Sequence, residues 1–175
     1  NALMLYGVLQ RVNPENIEYP IRLGVLYDKI GKDRQAKGNF SKAIGINCEN
    51  PAPFFHLGNF YYKREQYRKA LKYYNESYKR GYETNYDLLY RMGDIYEKFG
   101  DTRSALKYLQ DAKKQSNNPE LENKIQKVDK EKNTLSTQVT EYKDKYYDIL
   151  FDRVGKESFM DEHVVIVCND GTKKY

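Results

Sequence analysis

Residues able to do chemistry are few in this chain, and they are scattered. Its 175 residues hold two histidines, His56 and His163, and two cysteines, Cys48 and Cys168. A zinc site needs three or four convergent ligands. His163, Cys168 and Asp170 are the one close grouping, and three donors on a short β-branched stretch make neither a metal site nor an oriented Cys–His pair. Neither cysteine has a CxxC partner, so the spacing predicts free thiols in a reducing compartment such as the cytoplasm, with a single disulfide as the alternative. Asp87, Asp94 and Glu97 share a helical face with Arg91 and Lys98. Carboxylates three or four residues from cations are ordinary helix-surface pairs, not a catalytic dyad. Asn39-Phe-Ser and Asn75-Glu-Ser match the glycosylation sequon by chance, since both fall on helical stretches. The expectation is a protein without catalytic residues, metal or cofactor.

Composition agrees with a binding role. Charged residues make up 31%, mean hydropathy is −0.92, and the net charge is +5 from 30 basic and 25 acidic residues. The charges are interspersed, which describes a solvated surface and not a nucleic-acid groove, where basic residues cluster on one face. Eighteen tyrosines argue against disorder. Tyrosine buries its ring and keeps its hydroxyl wet, which suits a thin fold with little deep core. No apolar run reaches the 18 or so residues of a membrane span, and no signal peptide is present.

The elements that would position any site repeat along the chain. Leu23-Gly24 precedes Tyr27, Leu57-Gly58 precedes Tyr61, and Met92-Gly93 precedes Tyr96. The glycines stand 34 and 35 residues apart. Twelve residues after each comes an alanine, Ala36, Ala70 and Ala105. Then follow a large residue, Phe40, Tyr74 and Leu109, and a small one, Ala43, Ser77 and Ala112. Gly58 lies inside "FFHLGNFYY", where a helical glycine costs about 1 kcal/mol against alanine. The repeat explains it: a residue without a side chain lets a second helix approach closely, near Ala70. A phosphate-cradling loop would need several glycines between a strand and a helix.

On these residues the chain resembles the tetratricopeptide repeat (TPR) family over about residues 1–118. The family's first aromatic is replaced by Pro20, Phe54 and Leu89, and its closing proline by Cys48, Tyr82 and Asn117. The resemblance implies an all-α, right-handed α-solenoid in which an A and a B helix alternate. Repeats fall at 17–50, 51–85 and 86–118. Ala2, Tyr6 and Pro14 lie one period before Ala36, Phe40 and Cys48. Residues 1–16 therefore read as the second half of a repeat, and the chain as a piece of a longer array. Gly24, Ala36, Gly58, Ala70, Gly93 and Ala105 would pack each helix pair.

The resemblance also implies that the A helices line a concave wall. It assigns to that wall Ile21, Arg22, Val25, Phe55, His56, Asn59, Tyr62, Tyr90, Arg91 and Asp94. Phe55, Tyr62 and Tyr90 would supply apolar pockets, and Asn59 would bond a peptide backbone. Chaperone-binding TPR domains hold a C-terminal carboxylate with a Lys, Asn and Arg clamp. Its positions carry Ile21, Val25, His56 and Asp87 here, and only Arg91 agrees, so that clamp is not expected. The expected function is a scaffold for a protein or peptide partner. The alternatives are self-assembly, or the regulatory arm of a larger protein.

Beyond Pro119 the register changes. Leu121, Ile125, Val128, Lys132, Leu135, Val139, Tyr142, Tyr146, Ile149 and Arg153 alternate by four and three. This predicts one coiled-coil-like helix over 119–155, roughly 50 Å long at 1.5 Å per residue, able to cap the array or to dimerise. The alternative is two helices broken near Asn133–Thr137 as a degenerate fourth repeat. In the tail, 156–175, His163–Cys168 is β-branched and Asn169-Asp170-Gly171-Thr172 signals a hairpin, as at the start of a further domain.

Overall fold

The computed structural model describes residues 2–116, 118–154, 166–167 and 173–174. It divides into two units, Asn1–Asp129 and Lys130–Tyr175. The first is a stack of helices: α1 (Ala2–Val12), α2 (Glu18–Lys29), α3 (Asp33–Ile46), α4 (Ala52–Tyr62), α5 (Tyr67–Ser77), α6 (Tyr86–Lys98) and α7 (Thr102–Gln115). Helix α8 runs unbroken over Pro119–Val154. The closest partners are α2 with α3, α4 with α5, and α6 with α7, each pair being one repeat.

Local chemistry sets the ends of these helices. Asparagines stand at the start of each A helix: Asn16, Asn50 and Asn118 accept from the backbone N–H two residues on, and Asn85 from that of Leu88. A short amide side chain thus satisfies one orphan donor of the first turn. Each A helix stops in the same way. The N–H groups of Lys32, Gln66 and Asp101 reach back to the carbonyls of Tyr27, Tyr61 and Tyr96, and those of Gly31, Glu65 and Gly100 to Asp28, Tyr62 and Glu97. This double bond pattern is the Schellman motif, which needs a left-handed residue. Gly31 (φ 71°), Glu65 (φ 57°) and Gly100 (φ 74°) supply it.

The glycines face a different neighbour from the one read in the sequence. A Cβ on Gly58 would lie 2.3 Å from the Tyr74 ring, one on Gly24 2.5 Å from Phe40, and one on Gly93 2.7 Å from Leu109. The space therefore belongs to the large residue sixteen positions on, not to Ala70. At Gly93 backbone also comes near, the Ala105 carbonyl at 3.4 Å. The alanines 36, 70 and 105 are fully buried one turn earlier on the same B-helix face. Ser77 is buried too, and its hydroxyl donates to the Pro51 carbonyl at 2.9 Å.

The second repeat closes irregularly, where the family's proline is missing. Tyr78–Tyr82 is a kinked segment broken at Gly81, whose φ of 110° is not helical. It delivers Arg80 onto the Phe54 ring at 4.4 Å and onto the Cys48 carbonyl at 2.8 Å. That contact ties the end of the second repeat to the end of the first.

The start of α8 belongs to the first unit. Leu121 and Val128 are fully buried with Leu89, Ala105, Leu106, Leu109 and Ala112. Counted from Asn118, these turns hold the place of a fourth A helix. In the second unit Thr134, Thr137 and Thr140 return their hydroxyls to the carbonyls four residues back, and α8 continues where the earlier repeats turn. Ile166–Val167 and Lys173–Lys174 pair antiparallel. The residues between them, which carry the hairpin signal, lie outside the described residues, as do the side chains of Tyr142, Tyr146, Ile149, Arg153, His163 and Cys168.

Candidate functional site

The A helices lie side by side, α2 against α4, and α4 is joined to α6 through side chains. The Tyr62 hydroxyl donates to Asp94 Oδ2 at 2.6 Å. Asp94 also accepts from Lys124 of α8, and Lys98 stands 3.9 Å away. Lys124 reaches Glu97 at 2.9 Å and lies 5.2 Å from the centre of the Tyr90 ring. One tier of contacts therefore crosses from α4 through α6 to α8. Burial alone would raise the Asp94 carboxyl, but the hydrogen bonds from Lys124 and Tyr62 outweigh it and hold the group below its ordinary value. Glu97 behaves alike. The Lys124 ammonium is raised, its burial overcome by the two carboxylates.

A second cluster sits beside this tier. Tyr74 reaches up from the B helix and donates its hydroxyl to Asn59 Oδ1 at 2.8 Å. Burial pushes the Tyr74 phenol up, against the pull of the nearby Arg91 cation. The Arg91 guanidinium lies 5.0 Å from the centre of the Tyr62 ring. Its Nε is buried and has no hydrogen-bond partner among the described residues. Phe55 packs against His56, Tyr74 and Tyr82 with ring centres 5.5 to 6.1 Å apart. His56 stacks on Phe40 of the preceding repeat at 5.9 Å. Its pKa is lowered, first by burial and then by the Arg22 cation, so the ring is neutral at pH 7.

The sequence-derived wall residues fall into two groups. Phe55, His56, Asn59, Tyr62, Tyr90, Arg91 and Asp94 are half-buried and linked by the contacts above. The first repeat contributes less. Ile21 is only 4% exposed and belongs to the core. Val25 packs against Ala36, Phe40, Leu57 and Phe60. Arg22 is exposed and paired with Glu18 at 2.5 Å.

Several residues that shape the wall escaped the reading of the sequence. Repeat spacing accounts for Tyr74 as a packing residue, yet its hydroxyl also orients Asn59. Arg64 was passed over, yet it binds Asp28 and Asp33, donates to the Phe60 carbonyl and covers the Phe60 ring at 3.6 Å, latching the second repeat to the first. Lys124 was hidden because α8 has no Leu-Gly signature. The asparagine at the start of each A helix, spaced 34, 35 and 33 residues apart, carried the signal that finds it.

Among the described residues no group of three or more His, Cys, Asp or Glu could hold a metal ion, and no helix is long and apolar enough to cross a membrane. A shallow depression of about 350 Å³ where α7 meets α8 is lined by Lys113, Asn118, Pro119, Glu122 and Asn123.

Comparison with known proteins agrees with this geometry. Residues 87–116 match the family model described as tetratricopeptide repeat. No curated protein matches the chain by sequence. Solved structures do match. YrrB, described as a TPR protein with an unusual peptide-binding site, superposes with a TM-score of 0.68 at 22% identity, over 77% of this chain and 70% of that one. MamA gives 0.64 at 17% identity, over 81% and 82%. The N-terminal domain of stress-induced protein-1 from C. elegans gives 0.58 at 18% identity, over 65% and 94%.

Proposed function

We propose that the A-helix wall of this chain, whose residues 87–116 match the tetratricopeptide repeat and whose fold is that of TPR proteins, is a scaffold surface that binds an extended peptide or a helix of a partner protein. No bond is made or broken there. The observation that supports this most is the joined row of half-buried aromatic and amide side chains from Phe55 to Tyr90. Aromatic anchors dominate binding energy when a partner excludes water around them. Asn59, held by Tyr74, presents an oriented amide between Phe55 and Tyr62. YrrB, of the same fold, is described as having a peptide-binding site, and that likeness supports the class of ligand.

Affinity capture from native lysate tests the reading, with Phe55→Ala/Asn59→Ala/Tyr90→Ala run beside wild type after both are shown to melt alike. A protein held by wild type and lost by the variant is the expected result. Equal capture by both would move binding off this wall.

A second reading has one observation behind it. Leu135 and Val139 are 52% and 53% exposed and continue the heptad phase of α8, as a self-assembly seam would. Light scattering on the whole chain, monomeric at high concentration, would remove it.

A further inference from the structure

We infer that the outward face of the B helices docks on an anionic lipid bilayer, with α1 entering the acyl boundary and α3, α5 and α7 meeting the headgroups. This surface is separate from the A-helix wall and does not rest on that reading. Along the sequence the charges are interspersed, but the fold sorts them. Each of α3, α5 and α7 carries three or four Lys or Arg and a single carboxylate. By contrast α2 is balanced, α6 is acidic and α4 has no charge. The three B-helix carboxylates are already held, Asp33 by Arg64, Glu76 by Arg80 and Asp111 by Lys114. Arg34, Arg68 and Arg103 each stand ten residues after a repeat glycine. All three are exposed, and none forms an ion pair with a described residue.

Four residues on from these arginines come Gly38, Lys72 and Lys107, on the side of each helix away from its buried alanines. One period before α3, the same stripe is apolar. Met4 and Val8 of α1 hold the places of Gly38 and Lys42, with Leu5 and Val12 beside them. Met4, Leu5, Val8 and Val12 are 73%, 58%, 51% and 78% exposed. A packed A helix does not cover the places of Met4 and Val8: Gly38 and Lys42 stay exposed although α2 and α4 both lie against α3. An aliphatic patch beside a field of cations discriminates among anionic partners. Nucleic acid would answer the cations, but it offers stacking faces for aromatic rings and no cover for aliphatic side chains. An acidic protein would have to seal that patch, and one helix of 11 residues supplies little of the roughly 800 Å² per partner of a stable interface. An anionic bilayer answers both features, since its headgroups attract Lys and Arg and its acyl boundary takes in aliphatic side chains.

The test floats the full chain with vesicles of phosphatidylcholine alone and of phosphatidylcholine with phosphatidylserine. The expected result is binding to the second and not to the first, weakening as salt is raised. Arg34→Gln/Arg68→Gln/Arg103→Gln should reduce the affinity about 100-fold, and Met4→Ser/Val8→Ser at least about tenfold. The chain has no tryptophan, so Met4→Trp supplies a single indole, whose emission should move to the blue on the anionic vesicles. All these side chains are exposed, and the wild type against the two vesicle types reports without any variant. The inference is overturned by no binding to phosphatidylserine vesicles, by equal binding to both types, or by an arginine variant that binds as wild type does. An indole that stays in water also overturns it. So does tighter binding to a single-stranded oligonucleotide that Met4→Ser/Val8→Ser leaves unchanged, which would give the cations to nucleic acid.

Discussion

Glycine at position 58 shows how one atom's absence organises a repeat. The same arrangement recurs at Gly24 and Gly93, with Phe40 and Leu109 in place of Tyr74. The large residue thus enters a notch in the A helix, and at Gly58 the buried Tyr74 also holds Asn59 through its hydroxyl. Packing and site are therefore one feature. Gly58→Ala should cost about 1–3 kcal/mol through overpacking, although alanine is the better helix former. Gly38 provides the control. It lies inside α3 with nothing within 4 Å of where a Cβ would go. Gly38→Ala should therefore stabilise by about 0.5–1 kcal/mol. Urea midpoints of the two variants measure both, and equal signs would refute the notch. The spacing of glycine and large residue was readable in the sequence. Which of the B-helix residues filled the notch was not, because spacing fixes a helical face but not the depth to which a ring penetrates.

At the scale of the element, the turns between A and B helices are the most regular feature of the fold, and they show why pattern reading stops short. Two of the three use glycine at the left-handed position, and the third uses Glu65 at φ 57°. An L-residue there brings its Cβ against a carbonyl at a cost of roughly 1 kcal/mol. Glu65 persists because its neighbours over-determine the turn: its own N–H reaches Tyr62, Gln66 reaches Tyr61, and Arg64 beside it binds Asp28 and the Phe60 carbonyl. Glu65→Gly should raise stability by about 1 kcal/mol with the Schellman bonds intact, read as a higher urea midpoint at unchanged slope. A loss of stability would mean that the Glu65 side chain makes an attraction worth more than the strain. Helix positions were readable because asparagine, the Leu-Gly pair and the alanines recur in phase. The kinked end of the second repeat was not, since a missing proline says only that the usual stop is absent.

Over the whole molecule, the fate of α8 turns on two signals that point different ways. Its heptad phase marked one long helix, and residues 119–154 do form one. Its first turns nonetheless keep the repeat phase set by Asn118 and bury Leu121 and Val128 against α7. The heptad and the repeat share the same apolar positions over this stretch, so periodicity alone could not show that the helix closes the array. Stacked repeats gain stability from nearest-neighbour interfaces, and the third repeat depends on α8 for its outer one. A chain ending at Asp129 retains the first unit with Leu121, Lys124 and Val128. A chain ending at Asn118 loses all three, along with about 3–6 kcal/mol of burial from the two apolar side chains. The longer truncation product should therefore melt close to the full chain, and the shorter one more than about 10 °C lower. Because contacts in such a stack are local, hydrogen exchange in the shorter product should quicken chiefly in α6 and α7, while α2 and α3 keep their protection. Uniform loss of protection would show a single cooperative block. Unchanged melting would mean that the start of α8 lies on the third repeat without supporting it, and the contact of Lys124 with Asp94 would then matter to the wall alone.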